Sequence, residues 1–197
     1  MMKFEPASRA TRPEQRPLPR NSHDDSALNR LCRDIDDALD AGGSDSRASF
    51  GLRIRAALLR AIADPALLRP EQYAGGPHGY CRHLLAADPR GRYAIASLVW
   101  QPGQASPVHG HRTWCGYAVI DGALTETLYR WDADGQRAVE TLRQPRERGA
   151  ASYGDAGRGA IHRLVNPADA GTRAVSIHVY GVAGEAIATH VNDLLAA

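Results

Sequence analysis

After "GGPHG", Gly75 to Gly79, the chain changes period, and that change constrains its fold more than any other feature. Apolar residues recur at alternate positions in "CRHLLAAD", "RYAIASLVW", "CGYAVIDG", "ALTETLYRW", "AVETLR", "GAASYG", "HRLVNP" and "RAVSIHVYG". Gly, Pro, Asp or Asn separates one run from the next. A period of two puts alternate side chains on one face of a strand. Eight such runs in about 110 residues predict an antiparallel β-sandwich or small barrel of the jelly-roll kind.

Upstream the period is helical. "DDSALNRLCRDIDDALDAGG" spaces Leu28, Leu31, Cys32, Ile35 and Leu39 by three and four residues, and Gly42 and Gly43 are read as the stop. A second helix carries Leu52, Ile54, Ala57, Leu58 and Ile62 and is halted by Pro65. Cys32 therefore reads as core packing. Residues 1–24 are rich in Pro and Arg and are expected to form a flexible arm. Arg9, Arg12, Arg16 and Arg20 in it either meet an acidic partner or form a solvated tail, the blander and favoured reading. The expected division is the arm 1–24 and one domain 25–197, with helices in 25–66, a barrel over about 78–182 and a C-terminal tail. "EAIATHVNDLLAA" reads as a short helix or a loose tail.

Composition narrows the function classes. A net charge of +2 over 197 residues makes no bulk electrostatic case for nucleic acid or a membrane surface. Cys32, Cys81 and Cys115 form neither a CxxC pair nor a disulfide framework. With no apolar leader and no spanning run, a reducing cytoplasm is the expected location. The chain is expected to be a monomer or weak oligomer.

Chemistry concentrates in two stretches. His109 and His111 lie one residue apart on a predicted strand, so their imidazoles share a face. Cys115 follows four residues later, and "GRGAIHRLVN", Gly157 to Asn166, holds a third histidine, His162. The spacings G-x5-H-x-H-x3-C-x6-G and G-x-G-x2-H-x3-N resemble the paired motifs of the cupin superfamily, in which Glu usually stands where Cys115 does. The resemblance implies a mainly β fold, a cupin jelly-roll barrel here preceded by N-terminal helices. It also implies that His109, His111 and His162 bind a metal. Three neutral ligands leave a divalent ion its full charge, which suits an anionic substrate such as a thiolate. Imidazole alone does not choose among zinc, copper, nickel and iron.

"YCRHLL", "PVHGHRTWCG", "AIHRLVN" and "SIHVYG" together resemble the thiol dioxygenases, cysteine dioxygenase in particular. What that resemblance implies is Fe(II) on the three histidines, a small thiol and O2 as substrates, and a sulfinic acid as product. Arg82 stands where the family holds the substrate carboxylate, with Tyr80 beside it and His83 as a weaker candidate. Ser176, His178 and Tyr180 alternate with Ile177 and Val179, so they share one face; the family makes of them a hydrogen-bonded relay. Cys115 and Tyr180 match a thioether-linked pair of the animal enzymes; the linked and the free thiol both stay open. His23, His78 and His190 fall outside every matched motif. L-Cysteine is the expected substrate, because relatives that oxidise 3-mercaptopropionate tend to carry Gln in place of Arg82. The alternatives are that second thiol, a zinc isomerase, or a metal-binding sensor without turnover.

Overall fold

The computed structural model describes residues 25–41 and 47–197. The expected arm, the glycine stop at Gly42 and Gly43, and His23 lie outside the described residues. Two helices come first, α1 (Ala27–Asp40) and α2 (Arg47–Ile62). Ten strands follow among the described residues: β1 (Cys81–Ala87), β2 (Ala94–Trp100), β3 (His109–His111), β4 (Cys115–Asp121), β5 (Ala123–Asp132), β6 (Arg137–Glu147), β7 (Ala151–Gly154), β8 (Gly157–Val165), β9 (Ala174–Tyr180) and β10 (Asn192–Leu194).

Each of the eight period-two runs forms a strand, and the strands pair antiparallel throughout the described residues. One sheet has the order β1-β2-β9-β4-β7 and the other β10-β3-β8-β5-β6. The mainly β, cupin-type architecture with leading helices is thus met by two facing sheets, which are not closed into one ring. Trp100, Leu98 and Tyr117 of the first sheet pack against Leu124 and Leu164 of the second.

The first sheet is covered on its other face too. Ile95, Val99, Ala118, Ile177 and Val179 pack under Leu31, Ile35, Ile54 and Leu58 of the helices. All seven residues of β2 and all seven of β9 are buried. At about 25 cal/mol per Å² of apolar surface removed from water, this double coverage stabilises the sheet from both faces. Glycines let the helix come close. A Cβ at Gly116 would stand 2.6 Å from Ile54, and one at Gly51 would meet the Tyr153 ring at 2.7 Å.

Helix α1 starts as its sequence dictates, with the Ser26 side chain accepting from the Asn29 amide at 3.3 Å. Helix α2 departs from expectation at one position. Leu52 points outward, 63% exposed, while Gly51 and Ala61 take the buried stripe with Ile54, Ala57 and Leu58. The small residues win that stripe because the sheet surface below leaves no room for larger ones. Arg92 clamps α1 to the sheet, bonding Asp88 at 2.7 Å and pairing with Asp36 and Asp40 of that helix.

The C-terminal segment is neither a helix nor a loose tail. It makes a short 3-10 turn at Gly184–Ala186 and then adds β10 to the edge of β3, pairing Asn192 with His111 and Leu194 with His109. A three-residue strand bearing two histidines would otherwise expose unpaired backbone on that side. No helix among the described residues is long and apolar enough to cross a membrane.

Candidate metal centre

His109 and His162 are direct cross-strand partners on β3 and β8, and His111 projects two residues further along β3. Their ring centroids lie 4.7 to 5.1 Å apart, and one ligand nitrogen from each falls within 4.8 Å of the others. All three are buried, at 4 to 6% exposure. The residues fit a metal ion. The Nδ1–H of His109 donates to the Pro107 carbonyl at 2.9 Å, and that of His162 to the Glu126 carboxylate at 2.8 Å. A carbonyl or carboxylate only accepts, so in the neutral form of either ring the lone pair sits on Nε2. The Nδ1 of His111 is buried without a hydrogen-bond partner.

Burial, aided by the neighbouring His162, pushes the His109 imidazole down to about 3 and that of His111 to about 2. Both are neutral at physiological pH, the form a metal requires. The shifts also set how the metal-free protein responds to acid. In the unfolded chain these imidazoles take protons below about pH 6.5. The folded chain refuses them until about 3 and 2, so between those limits the unfolded state binds more protons. Stability of the metal-free protein therefore falls as pH drops through 6.5, by up to about 1.4 kcal/mol per pH unit for each of the two rings. Thermal unfolding between about pH 7 and 5 measures it; a melting temperature that holds steady or rises on acidification would contradict the burial argument.

A polar chain leads away from the triad along β9. Trp100 Nε1–H donates to Ser176 Oγ at 3.0 Å, Ser176 bonds His178 Nε2 at 2.9 Å, and His178 Nδ1 meets the Tyr180 hydroxyl at 3.2 Å. Ser176, His178 and Tyr180 share the inward face, while Ile177 and Val179 turn to the helices. Burial drives the His178 imidazole well below its ordinary value, with Arg82 acting the same way, so this ring is neutral. The Tyr180 hydroxyl is pushed up by burial and by Cys115 beside it. Cys115 pairs directly with Tyr180 across β4 and β9 and carries a free thiol that burial holds protonated.

Arg82 reaches the same cavity from β1. Its Nη1 donates to the Ile187 carbonyl at 2.9 Å, and its guanidinium lies 6.0 Å from the Tyr80 ring and 5.9 Å from that of Tyr180. Its Nε is buried with no partner. Tyr80, Arg82, His109, His111, His162, His178 and Tyr180 all line one cavity. His83 points to the other side of β1, where its Nε2 bonds the Ala74 carbonyl at 2.7 Å. His78 and His190 are exposed. Asn166 is a clasp: its amide donates to the Trp100 and Thr172 carbonyls at 2.9 and 3.0 Å.

Residues 72–189 match the family described as cysteine dioxygenase type I. The chain belongs to that family. The matched span holds the histidine triad, Arg82 and the whole polar chain; Asn192, which also lines the cavity, lies beyond it. Solved structures similar to this family member include a Thermus thermophilus protein, 19% identical with a TM-score of 0.45, covering 58% of this chain and 95% of that one. A cupin superfamily protein from Desulfitobacterium hafniense is 12% identical with a TM-score of 0.42, over 59% and 84% of the two chains. An RmlC-like cupin from Shewanella frigidimarina is 18% identical with a TM-score of 0.44, over 60% and 91%. Membership in the cysteine dioxygenase family implies thiol dioxygenase chemistry at a site where three histidines can hold a metal.

Three residues of this site escape the motifs. Trp100 ends β2 and looks in sequence like any other core aromatic. Asn192 sits in what reads as a tail. Glu126 did leave a signal, since it is the one charge on the face of "ALTETL" shared by Leu124 and Leu128.

Proposed function

We propose that this protein is an Fe(II)-dependent thiol dioxygenase that oxidises L-cysteine with O2 to cysteine sulfinic acid. The observation that carries the reading is convergence: a buried triad of histidines, an arginine with an unpartnered buried Nε, and a tyrosine on a polar chain line one cavity in a member of this family. Fe(II), when bound, would supply a Lewis acid that lowers the thiol pKa and a place for O2 to react. His109, His111 and His162 would hold it.

The chain's own residues would then act as follows. With Nη1 held by Ile187, Arg82 offers its Nε edge to the substrate carboxylate, a geometry suited to a charge-assisted pair. Tyr80, stacked on Trp100 at 4.4 Å, would close the cavity beside that carboxylate. Tyr180 would orient substrate and oxygen through its hydroxyl, held by His178 and Ser176. Because His178 is neutral, it serves as a hydrogen-bond partner and not as a standing cation. The sulfur gains both oxygen atoms and moves two rungs up the thiol oxidation ladder in one turnover. The protein is proposed to work in the cytoplasm, with residues 25–197 as one cupin-type domain.

The test loads the purified protein with Fe(II) and follows oxygen uptake with cysteine and with 3-mercaptopropionate side by side. Faster uptake with cysteine, yielding the sulfinate, is the expected result. Preference for 3-mercaptopropionate would overturn the Arg82 assignment, and no uptake with either would overturn the activity. Intact mass of the same preparation tells whether Cys115 and Tyr180, cross-strand neighbours, have lost the two hydrogens of a thioether.

A further inference from the structure

We propose that Glu126 is a positioning residue of the metal centre, holding His162 in the Nδ1–H tautomer so that Nε2 is presented to the ion. The inference rests on the reading of His109, His111 and His162 as a metal site.

Glu126 lies in the middle of β5, only 2% exposed. Both of its oxygens are engaged. Oε1 accepts from His162 Nδ1 at 2.8 Å, and Oε2 accepts from Gln144 Nε2 at 3.0 Å with the Arg146 Nε at 3.5 Å. Gln144 is its direct partner across β5 and β6, and Arg146 lies two residues on along the same strand. A carboxylate pinned at both oxygens cannot swing, so the imidazole it holds cannot turn about its own axis either.

Burying a carboxylate is expensive, and replacing buried charged groups by apolar residues of similar volume often costs no stability. A core charge whose shortest bond goes to a ligand histidine is instead the arrangement that fixes tautomer and ring orientation and raises ligand basicity. The other two ligands lack it. His109 leans on a neutral carbonyl, and His111 has no partner at Nδ1. The three histidines are therefore unequal, and His162 is the best-anchored donor.

The test titrates metal-free wild type and the Glu126→Gln variant with Co(II), without thiol, and reads affinity by absorbance. The variant is expected to bind Co(II) roughly 10- to 100-fold more weakly. Affinity within about twofold of wild type in a folded variant would overturn the role of Glu126 while leaving the metal site standing. Failure of the wild type itself to bind would instead overturn the metal reading. Nitrogen-15 NMR of the wild-type histidines gives a second readout that needs no variant to fold. The Nδ1–H tautomer at His162 is expected; the Nε2–H tautomer would overturn the proposal.

Discussion

His162→Ala is expected to leave a protein that retains no Fe(II) after gel filtration and shows no thiol-dependent oxygen uptake above background. Two neutral imidazoles seldom hold a labile divalent ion, and the loss here goes further than one ligand. His162 couples β8 to β3 and β5, facing His109 on one side and Leu128 on the other. Its removal also strips Glu126 of its shortest bond, leaving a buried carboxylate to Gln144 and Arg146 alone. An unsatisfied buried acceptor costs about 1–3 kcal/mol, and more when charged, so a fall in thermal stability should accompany the loss of metal. Iron analysis of the folded variant decides the matter. Full occupancy would refute the assignment of His162 as a ligand.

Arg82→Gln should weaken cysteine binding by roughly 2–5 kcal/mol, the range for truncating one member of a buried, hydrogen-bonded charge pair. That corresponds to a loss of about thirtyfold or more in affinity. A glutamine amide is neutral and too short to restore the fork, although it can still donate one hydrogen bond. The substitution also removes the bond to the Ile187 carbonyl, which ties β1 to the segment leading into β10. Circular dichroism and melting temperature separate that structural effect from substrate binding. Unchanged cysteine affinity in a folded variant would sink the carboxylate clamp while leaving the metal site intact.

His109, His111 and His162 are legible in the chain because a strand of period two sends His109 and His111 to the same side, and the second motif supplies His162 in the expected order. The shared face of Ser176, His178 and Tyr180 follows from the same parity. Family resemblance then attached roles to those positions, and the fold brings His178, Tyr180 and the triad together with Arg82 around one cavity.

What periodicity cannot state is which layer covers a face. "RYAIASLVW" alternates in chemistry only weakly because helices bury one side of its sheet and a second sheet buries the other. Leu52 sits on the periodic face of α2 yet lies outside, since the fit of α2 on β4 and β7 is decided by Gly116 and Gly51 and by the space above them. The C-terminal segment reads as a tail because three residues carry no period; it becomes a strand only where β3 offers an open edge.

By itself, then, the sequence determined eight of the strands, the shared face of His109 and His111 and the polar face of β9, because each follows from the spacing of residues along one strand; His162 came from the second motif. Tertiary structure alone decided the partners. Glu126 meets His162, Gln144 and Arg146 across three strands, and Trp100 meets Ser176 across two. Such contacts depend on register between segments far apart in the chain, and a one-residue slip would turn each of them to the opposite face.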